Sequence, residues 1–393
     1  MRTTRIVIAA GGTAGHVAPA LAVADALRAD GAQVTFVGGD RAEAQLVGQA
    51  GYPLRRLPVE GLSRTNPLRA ARALARAALA LARARALLRE LRPDAVLGGG
   101  GYVSGPVGLA ALSLRIPLVL SEADSRLGLA NRLLARGARR VCLAFPIPGR
   151  DDGARYRITG RPIPVPDADR ASARARFGIA TDETCVLVFG GSLGARSINL
   201  AAVEGLAGVD VRAGAPSERP DRERPAVEIP TAESLAVDGS APRSSDSAVR
   251  VLHVAGRRDH PELSALALPD GYDLREYLDL DEFAQALAAA DLVVARAGGS
   301  VFELAAYGLP AILVPYPQAA ADHQSANARW MADAGAAVVI PDGELSGKRL
   351  AREVATLLTD RPRLAAMARA SRGLARPDAA RDVARELLEA AGL

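Results

Sequence analysis

Twice along this chain an apolar run stops at a cluster of glycines and resumes as a helix, and this repeat constrains the fold more than any other feature. The first occurrence covers residues 6–10, then Gly11-Gly12-Thr13-Ala14-Gly15-His16, then a helix from about residue 19 to 28. The second covers residues 185–189 and then Gly190-Gly191-Ser192-Leu193-Gly194-Ala195-Arg196. Short apolar runs closed by glycine read as buried strands. Two such openings predict an α/β protein of two Rossmann-like domains, their parallel sheets facing across a cleft that holds the ligands.

A third junction lies in residues 291–327. A strand ends at Ala295, Arg296-Ala297-Gly298-Gly299-Ser300 breaks it, and a helix follows over 301–307. Free backbone N–H groups and the positive end of a helix dipole suit a phosphate there. Glu303 falls in the first turn, where its carboxylate can accept hydrogen bonds from a ribose. Gly308-Leu309-Pro310 stops the helix, residues 311–314 form the next strand, and Gln318, Asp322, His323, Gln324 and Asn327 follow. Polar residues thus gather where strand ends meet loops. The same spacing also fits an ordinary βαβ unit whose glycines only turn the chain.

At 393 residues the chain suits two domains of ordinary size. Its two cysteines, Cys142 and Cys185, lie in apolar runs, which predicts a reducing compartment with neither a disulfide framework nor a cysteine metal site. The N-terminus reads as a first strand rather than a signal peptide. No uncharged apolar stretch is long enough to predict a membrane-spanning helix. Residues 1–165 hold 24 arginines against 11 acids, which suggests an anionic partner for that half. Lys348 is the only lysine, so base composition is a rival cause, and no nucleic-acid partner is inferred.

His16 stands at the mouth of the first glycine loop. It can serve as a general base toward a hydroxyl, or merely bond the backbone as a loop histidine. The loop does not meet the G-x-G-x-x-G dinucleotide fingerprint, so a nicotinamide cofactor is not expected. After a strand at 34–37 the chain reads as loop to residue 66. Residues 67–91 form an Ala/Leu/Arg helix, either a solvated arginine face or a basic amphipathic surface for an anionic membrane. A strand ending at Leu97 runs into Gly98-Gly99-Gly100-Gly101-Tyr102, whose glycines permit close backbone approach. Another ends in Ser121-Glu122-Ala123-Asp124. Strands at 141–144 and 156–159 finish the first sheet. The proline-rich run at 160–166 reads as a linker between domains at 1–163 and 164–374. Residues 208–250 read as a disordered insertion, and the helical C-terminus ends in a helix at about 378–391.

The motifs GGTAGHVAPALAVADAL, PDAVLGGGGYVSGP, GLANRLLA, TGRPIP, LVFGGSLGAR, RAGGSVFELAAYGLPAILVP and DHQSANA, in this order, resemble the MurG family of bacterial peptidoglycan synthesis. The likeness touches nearly the whole chain outside 208–250. It implies a GT-B glycosyltransferase that moves N-acetylglucosamine from UDP-N-acetylglucosamine to the muramoyl O4 of lipid I with inversion, giving lipid II. It also implies a peripheral place on the anionic cytoplasmic face of the cell membrane, no cofactor or metal, and a last helix (375–393) packed on the first domain. By resemblance, Thr13, Ala14 and Gly15 lie near the donor and His16 is the base or positions the acceptor, with Glu122 and Asp124 as rival bases. Gly101, Tyr102 and Ser104 form the acceptor side. Ser192 meets the diphosphate, and Ala297, Gly298, Gly299, Ser300 and Val301 hold phosphate and sugar. Glu303 takes the ribose, Gln324 and Asn327 read the sugar, and Leu280, or Leu278 under another gap placement, offers its backbone to uracil. Membrane docking would fall to Leu74, Leu79 and Leu81 with Arg72, Arg76 and Arg83.

The chain departs from the family pattern at three places, one of them the loop from Gly298 to Glu303, which is one residue shorter than is common. Ser121-Glu122-Ala123-Asp124 stands where His-Glu-Gln-Asn is common, so an acid replaces an amide of the donor contact. Arg161-Pro162-Ile163-Pro164 stands where Asn-Pro-Val-Arg is common, so Arg161 is displaced by three positions from its expected diphosphate contact. A related enzyme with another acceptor, a sugar-nucleotide epimerase, and a catalytically silent sugar-nucleotide binder are the alternative readings.

Overall fold

The computed structural model describes residues 3–12, 14–58, 67–150, 153–163, 169–191, 193–207, 249–319 and 322–393, with the backbone alone at 14, 42 and 67–77. Two compact units emerge: Met1–Val165 with Arg376–Leu393, and Pro166–Ala375. Most of the 208–250 segment lies outside the described residues, although Val249 and Arg250 already belong to a strand.

The first unit is built on strands β1 (Arg5–Ala9), β2 (Gln33–Gly38), β3 (Leu54–Arg56), β4 (Ala95–Gly98), β5 (Leu118–Glu122), β6 (Arg140–Leu143) and β7 (Tyr156–Ile158). Its helices are α1 (Ala14–Ala29), α2 (Ala42–Gln49), α3 (Pro67–Leu91), α4 (Gly101–Ser113) and α5 (Leu129–Leu134). The sheet is parallel, in the order β3-β2-β1-β4-β5-β6-β7. The second unit carries β8 (Thr184–Phe189), β9 (Val249–Val254), β10 (Tyr272–Arg275), β11 (Leu292–Ala295), β12 (Ala311–Leu313) and β13 (Ala337–Val339), parallel in the order β10-β9-β8-β11-β12-β13. Around it lie α6 (Arg170–Arg176), α7 (Arg196–Leu206), α8 (His260–Leu263), α9 (Leu280–Ala289), α10 (Val301–Tyr307), α11 (His323–Asp333), α12 (Gly347–Thr359) and α13 (Arg361–Gly373). The last helix, α14 (Ala379–Ala391), returns to the first unit.

Period two along β1 divides the first core. Ile6 and Ile8 face one layer with Leu27 of α1 and Val383, Ala384 and Leu387 of α14. Val7 and Ala9 face the other, with Leu88 of α3 and Val107 of α4. Each fully buried isoleucine, leucine or valine among them contributes roughly 1.5–3 kcal/mol. A central strand covered on both faces needs continuous apolar sequence, which is why RIVIA shows no alternation.

Two local expectations need correction. The stretch read as loop up to residue 66 contains α2 and β3, two short elements masked by glycine, proline and arginine. The first helix opens at Ala14, five residues before Pro19. Strand β10 stops at Arg275, and α9 starts at residues 279–280 through an Asp279–Glu282 capping box.

Candidate active site

In the first unit β1 and β4 are neighbours, yet α1 and α4, which follow them, pack on opposite faces of the sheet. The crevice beyond their carboxyl ends is therefore a topological switch point, where open α/β sheets take ligands. Glycines make it narrow. A Cβ on Gly101 (φ +75°) would lie 1.8 Å from the Gly11 carbonyl oxygen, and one on Gly100 would lie 2.9 Å from Cδ2 of His16.

His16, in the first turn of α1, is half-buried over these glycines. Burial lowers its pKa and the Arg161 guanidinium lowers it further, against the opposing pull of the Asp124 carboxylate. The imidazole is thus neutral near pH 7 and able to accept a proton. Arg161, displaced in sequence, is brought here all the same: it is buried and donates to the Gly15 carbonyl.

Glu122 is differently employed. Its carboxylate accepts from the N–H of Gly128 (2.8 Å), Nδ2 of Asn131 (3.0 Å) and the N–H of Asp124 (3.2 Å). Burial raises its pKa and outweighs these donors. Both oxygens hold the loop that carries Asp124, which leaves His16 as the better placed base. Ser104 is also turned inward, buried with Oγ accepting from the Gly100 N–H (3.2 Å), so its effect on a ligand runs through the glycine loop. Tyr102 donates to Glu43 (2.8 Å), an arrangement that sequence reasoning missed because nothing marks a lone glutamate in a short helix. Thr13 lies outside the described residues.

In the second unit the switch point falls between β8 and β11. Here too backbones touch: a Cβ on Gly194 (φ +81°) would lie 2.0 Å from the Ala255 carbonyl oxygen. Beneath this contact runs a buried polar chain. Asn199 donates through Nδ2 to Ala255 O (2.8 Å) and Asp259 Oδ2 (2.8 Å), and its Oδ1 pairs with His253 Nε2 (3.0 Å). His253 Nδ1 meets the Tyr272 hydroxyl at 2.8 Å. Burial takes the His253 pKa down to about 3, so the ring is neutral, donating at Nε2 and accepting at Nδ1.

Arg296, at the end of β11, donates to Asp342 (2.5 Å), Ser197 Oγ (2.9 Å) and the carbonyls of Val314 (3.1 Å) and Pro315 (3.2 Å), tying the strand ends together. In the turn at 298–302, the N–H groups of Val301 and Phe302 bond the carbonyls of Gly298 and Gly299. Ala297 and Val301 are fully buried, while Gly298, Gly299, Ser300 and Glu303 remain partly accessible. Gln324 borders Gly298 and accepts from the Tyr316 N–H (2.9 Å). Asn327 departs from expectation: fully buried, it donates to Ala297 O (3.0 Å), and its Oδ1 has no hydrogen-bond partner among the described residues. Its side chain holds the loop from below rather than presenting itself to a sugar. Leu280 is exposed at the start of α9, whereas Leu278 is buried. Ser192 lies outside the described residues.

The sequence pattern of the glycosyltransferase family 28 N-terminal domain matches residues 6–143, and that of the C-terminal domain matches 185–383. The chain belongs to glycosyltransferase family 28. Family 28 relatives align end to end. One from Moorella thermoacetica is 39% identical, covering 98% of both chains. One from Alkalilimnicola ehrlichii is 42% identical, covering 99% of both. Each is named UDP-N-acetylglucosamine–N-acetylmuramyl-(pentapeptide) pyrophosphoryl-undecaprenol N-acetylglucosamine transferase. Among solved structures, MurG of Acinetobacter baumannii superposes with a TM-score of 0.70 at 28% identity, covering 99% of this chain and all of that one. The calicheamicin glycosyltransferase CalG4, at 16% identity and TM-score 0.66, shares the fold. The fold is therefore GT-B, and the chain is a UDP-N-acetylglucosamine-dependent glycosyltransferase of family 28.

Proposed function

We propose that this chain transfers N-acetylglucosamine from UDP-N-acetylglucosamine to the muramoyl O4 of lipid I with inversion, yielding lipid II for peptidoglycan synthesis. The observation that carries the reading is a neutral imidazole, His16, seated on the glycine-lined edge of the first unit in a chain that aligns over 98% of its length with enzymes named for this transfer.

In the proposed reaction His16 takes the proton of the acceptor hydroxyl as its oxygen attacks the anomeric carbon. The bond from that carbon to the diphosphate breaks on the opposite face, and UDP leaves with the electron pair. Asp124 then stabilises the imidazolium formed. Charge grows on the diphosphate, so preorganised donors around Gly190–Gly194 and Gly298–Ser300 lower the barrier. Glu303 takes the ribose, Gln324 the sugar, and the backbone at Leu280 the uracil.

The lipid acceptor calls for an anionic membrane surface, at the cytoplasmic face. On the first unit Leu79 and Arg83 of α3 are exposed, as are Leu109, Leu129 and Leu133, while Leu81 packs partly into the core. No described helix is long and apolar enough to cross a membrane.

The deciding experiment is transfer of labelled N-acetylglucosamine from UDP-N-acetylglucosamine to a short-chain lipid I analogue, with chelator present and a donor-only control. Lipid II product is expected. Donor binding without transfer would reject the acceptor, and an epimerised donor in the control would reject the reaction class.

A further inference from the structure

Glu43 plays no part in that chemistry, yet it is a fully buried carboxylate at the carboxyl edge of the first sheet. It accepts from the N–H of Gly39 (2.8 Å), the N–H of Gly12 (2.9 Å) and the hydroxyl of Tyr102 (2.8 Å). These donors come from the segments that follow β2, β1 and β4, so one side chain joins the ends of three adjacent strands. Glycines clear its space: a Cβ on Gly38 would lie 2.8 Å from Glu43 Cγ, and Cβ atoms on Gly11 and Gly39 would each lie 3.0 Å from Oε1. One on Gly39 would also lie 1.9 Å from the Tyr102 hydroxyl.

Burial would raise the Glu43 carboxyl, but the donated hydrogen bonds outweigh it and hold the group below the ordinary carboxylate range. A buried charge costs several kcal/mol of desolvation even when hydrogen-bonded, and well-packed apolar residues stabilise a core as well or better. Stability is thus a poor reason for a carboxylate here. What it does supply is direction. The Gly12 N–H is aimed at Glu43 and away from the crevice, which fixes the path of the loop leading to His16. Tyr102, bonded to the same carboxylate, is fixed beside it.

We propose that Glu43 is a positioning residue for the acceptor: by holding Gly12, Gly39 and Tyr102 together it sets the glycine loop that carries His16. This role rests on the functional reading above.

The test compares Glu43→Gln and Tyr102→Phe with the wild-type chain, reading kinetics against each substrate separately and amide exchange across residues 11–16. Glu43→Gln should lower kcat/KM for lipid I by about 10- to 100-fold, as misplacement of a reacting group does, with donor KM changed by less than about twofold. Tyr102→Phe keeps both glycine bonds and should fall in the same direction by less. The double variant should be no worse than Glu43→Gln alone, and exchange at 11–16 should quicken in Glu43→Gln. Equal losses against both substrates, or unchanged lipid I kinetics, would overturn the role; should Glu43→Gln fail to fold, Tyr102→Phe decides on the same criteria. A wild-type chain inert toward lipid I refutes the transfer reading instead, and unchanged exchange in Glu43→Gln overturns the hold on the loop whatever the turnover.

Discussion

The Arg161 guanidinium donates to the carbonyl of Gly15, the helix carbonyl that Pro19 leaves without its usual i+4 donor. Proline lacks an N–H, so a proline inside a helix strips one hydrogen bond from the residue four positions back. Here a side chain far along the chain replaces it, and in doing so brings a fixed positive charge beside His16. Helix repair and tuning of the proposed base are thus one interaction.

Arg161→Met should raise the His16 pKa by removing a cation that disfavours the imidazolium. A base must be unprotonated to act, so the acidic limb of the kcat/KM profile should move to higher pH. Asp124→Asn removes the charge that favours the imidazolium, and its limb should move to lower pH. The pH profiles of the two variants check both signs; shifts in the same direction would remove His16 as the titrating group.

His16→Ala should lower kcat by about 10²- to 10⁴-fold, the usual worth of a general base. Affinity for UDP by calorimetry should stay near wild type, because the proposed uracil, ribose and diphosphate contacts lie in the second unit. Near-normal turnover would pass the role of base to Asp124, since Glu122 has its oxygens committed to Gly128, Asn131 and Asp124.

Strand cores and the glycine loops that end them could be read from the chain because buried parallel strands need unbroken apolar runs, and glycine marks their close approach. Helix α3 was legible to its ends, as 25 residues that are alanine, leucine or arginine at all but Pro67 and Glu90 leave no alternative. Strand β3 and helix α2 were not, being short and set among turn formers. Site residues were harder for a different reason. A polar side chain near a strand end looks the same in sequence whether it faces a ligand or holds the loop from beneath, which is how Ser104 and Asn327 come to point inward. Glu43 has no local signature at all, because two of its donors lie 31 and 59 residues away.

Asn199→Ala should strand His253 Nε2 and the Ala255 carbonyl inside the second unit, while Asp259 keeps its bonds from Arg258. Leaving such groups unsatisfied costs about 1–3 kcal/mol, seen as a lower urea midpoint at unchanged m-value. The loop contact between Gly194 and Ala255 loosens with it, so UDP affinity should fall too. A variant with normal stability and affinity would show that the network is dispensable.

His253, neutral in the fold with its pKa taken to about 3, binds a proton in the unfolded chain near pH 6.5. The stability it secures is complete above that pH and is lost as pH falls toward 3, at about 1.4 kcal/mol per pH unit. His253→Gln should flatten this part of the stability curve in urea titrations between those pH values. An unchanged slope would mean the ring is protonated in the fold.

Leu387→Ala tests whether the last helix stabilises the unit it packs on rather than the unit it follows in sequence. Leu387 and Val383 are fully buried in the layer holding Ile6, Ile8 and Leu27, and neighbouring Glu386 pairs with Arg140 (2.9 Å) and Arg157 (3.3 Å). Truncating a buried leucine costs about 2–5 kcal/mol. Trp330, the chain's single tryptophan, lies in α11 of the second unit, so its fluorescence reports unfolding there, while far-UV circular dichroism reports both units. The dichroism transition should begin at lower urea in Leu387→Ala while the fluorescence midpoint stays in place. A joint shift of the two signals would show that the loss reaches the second unit and that the units unfold as one.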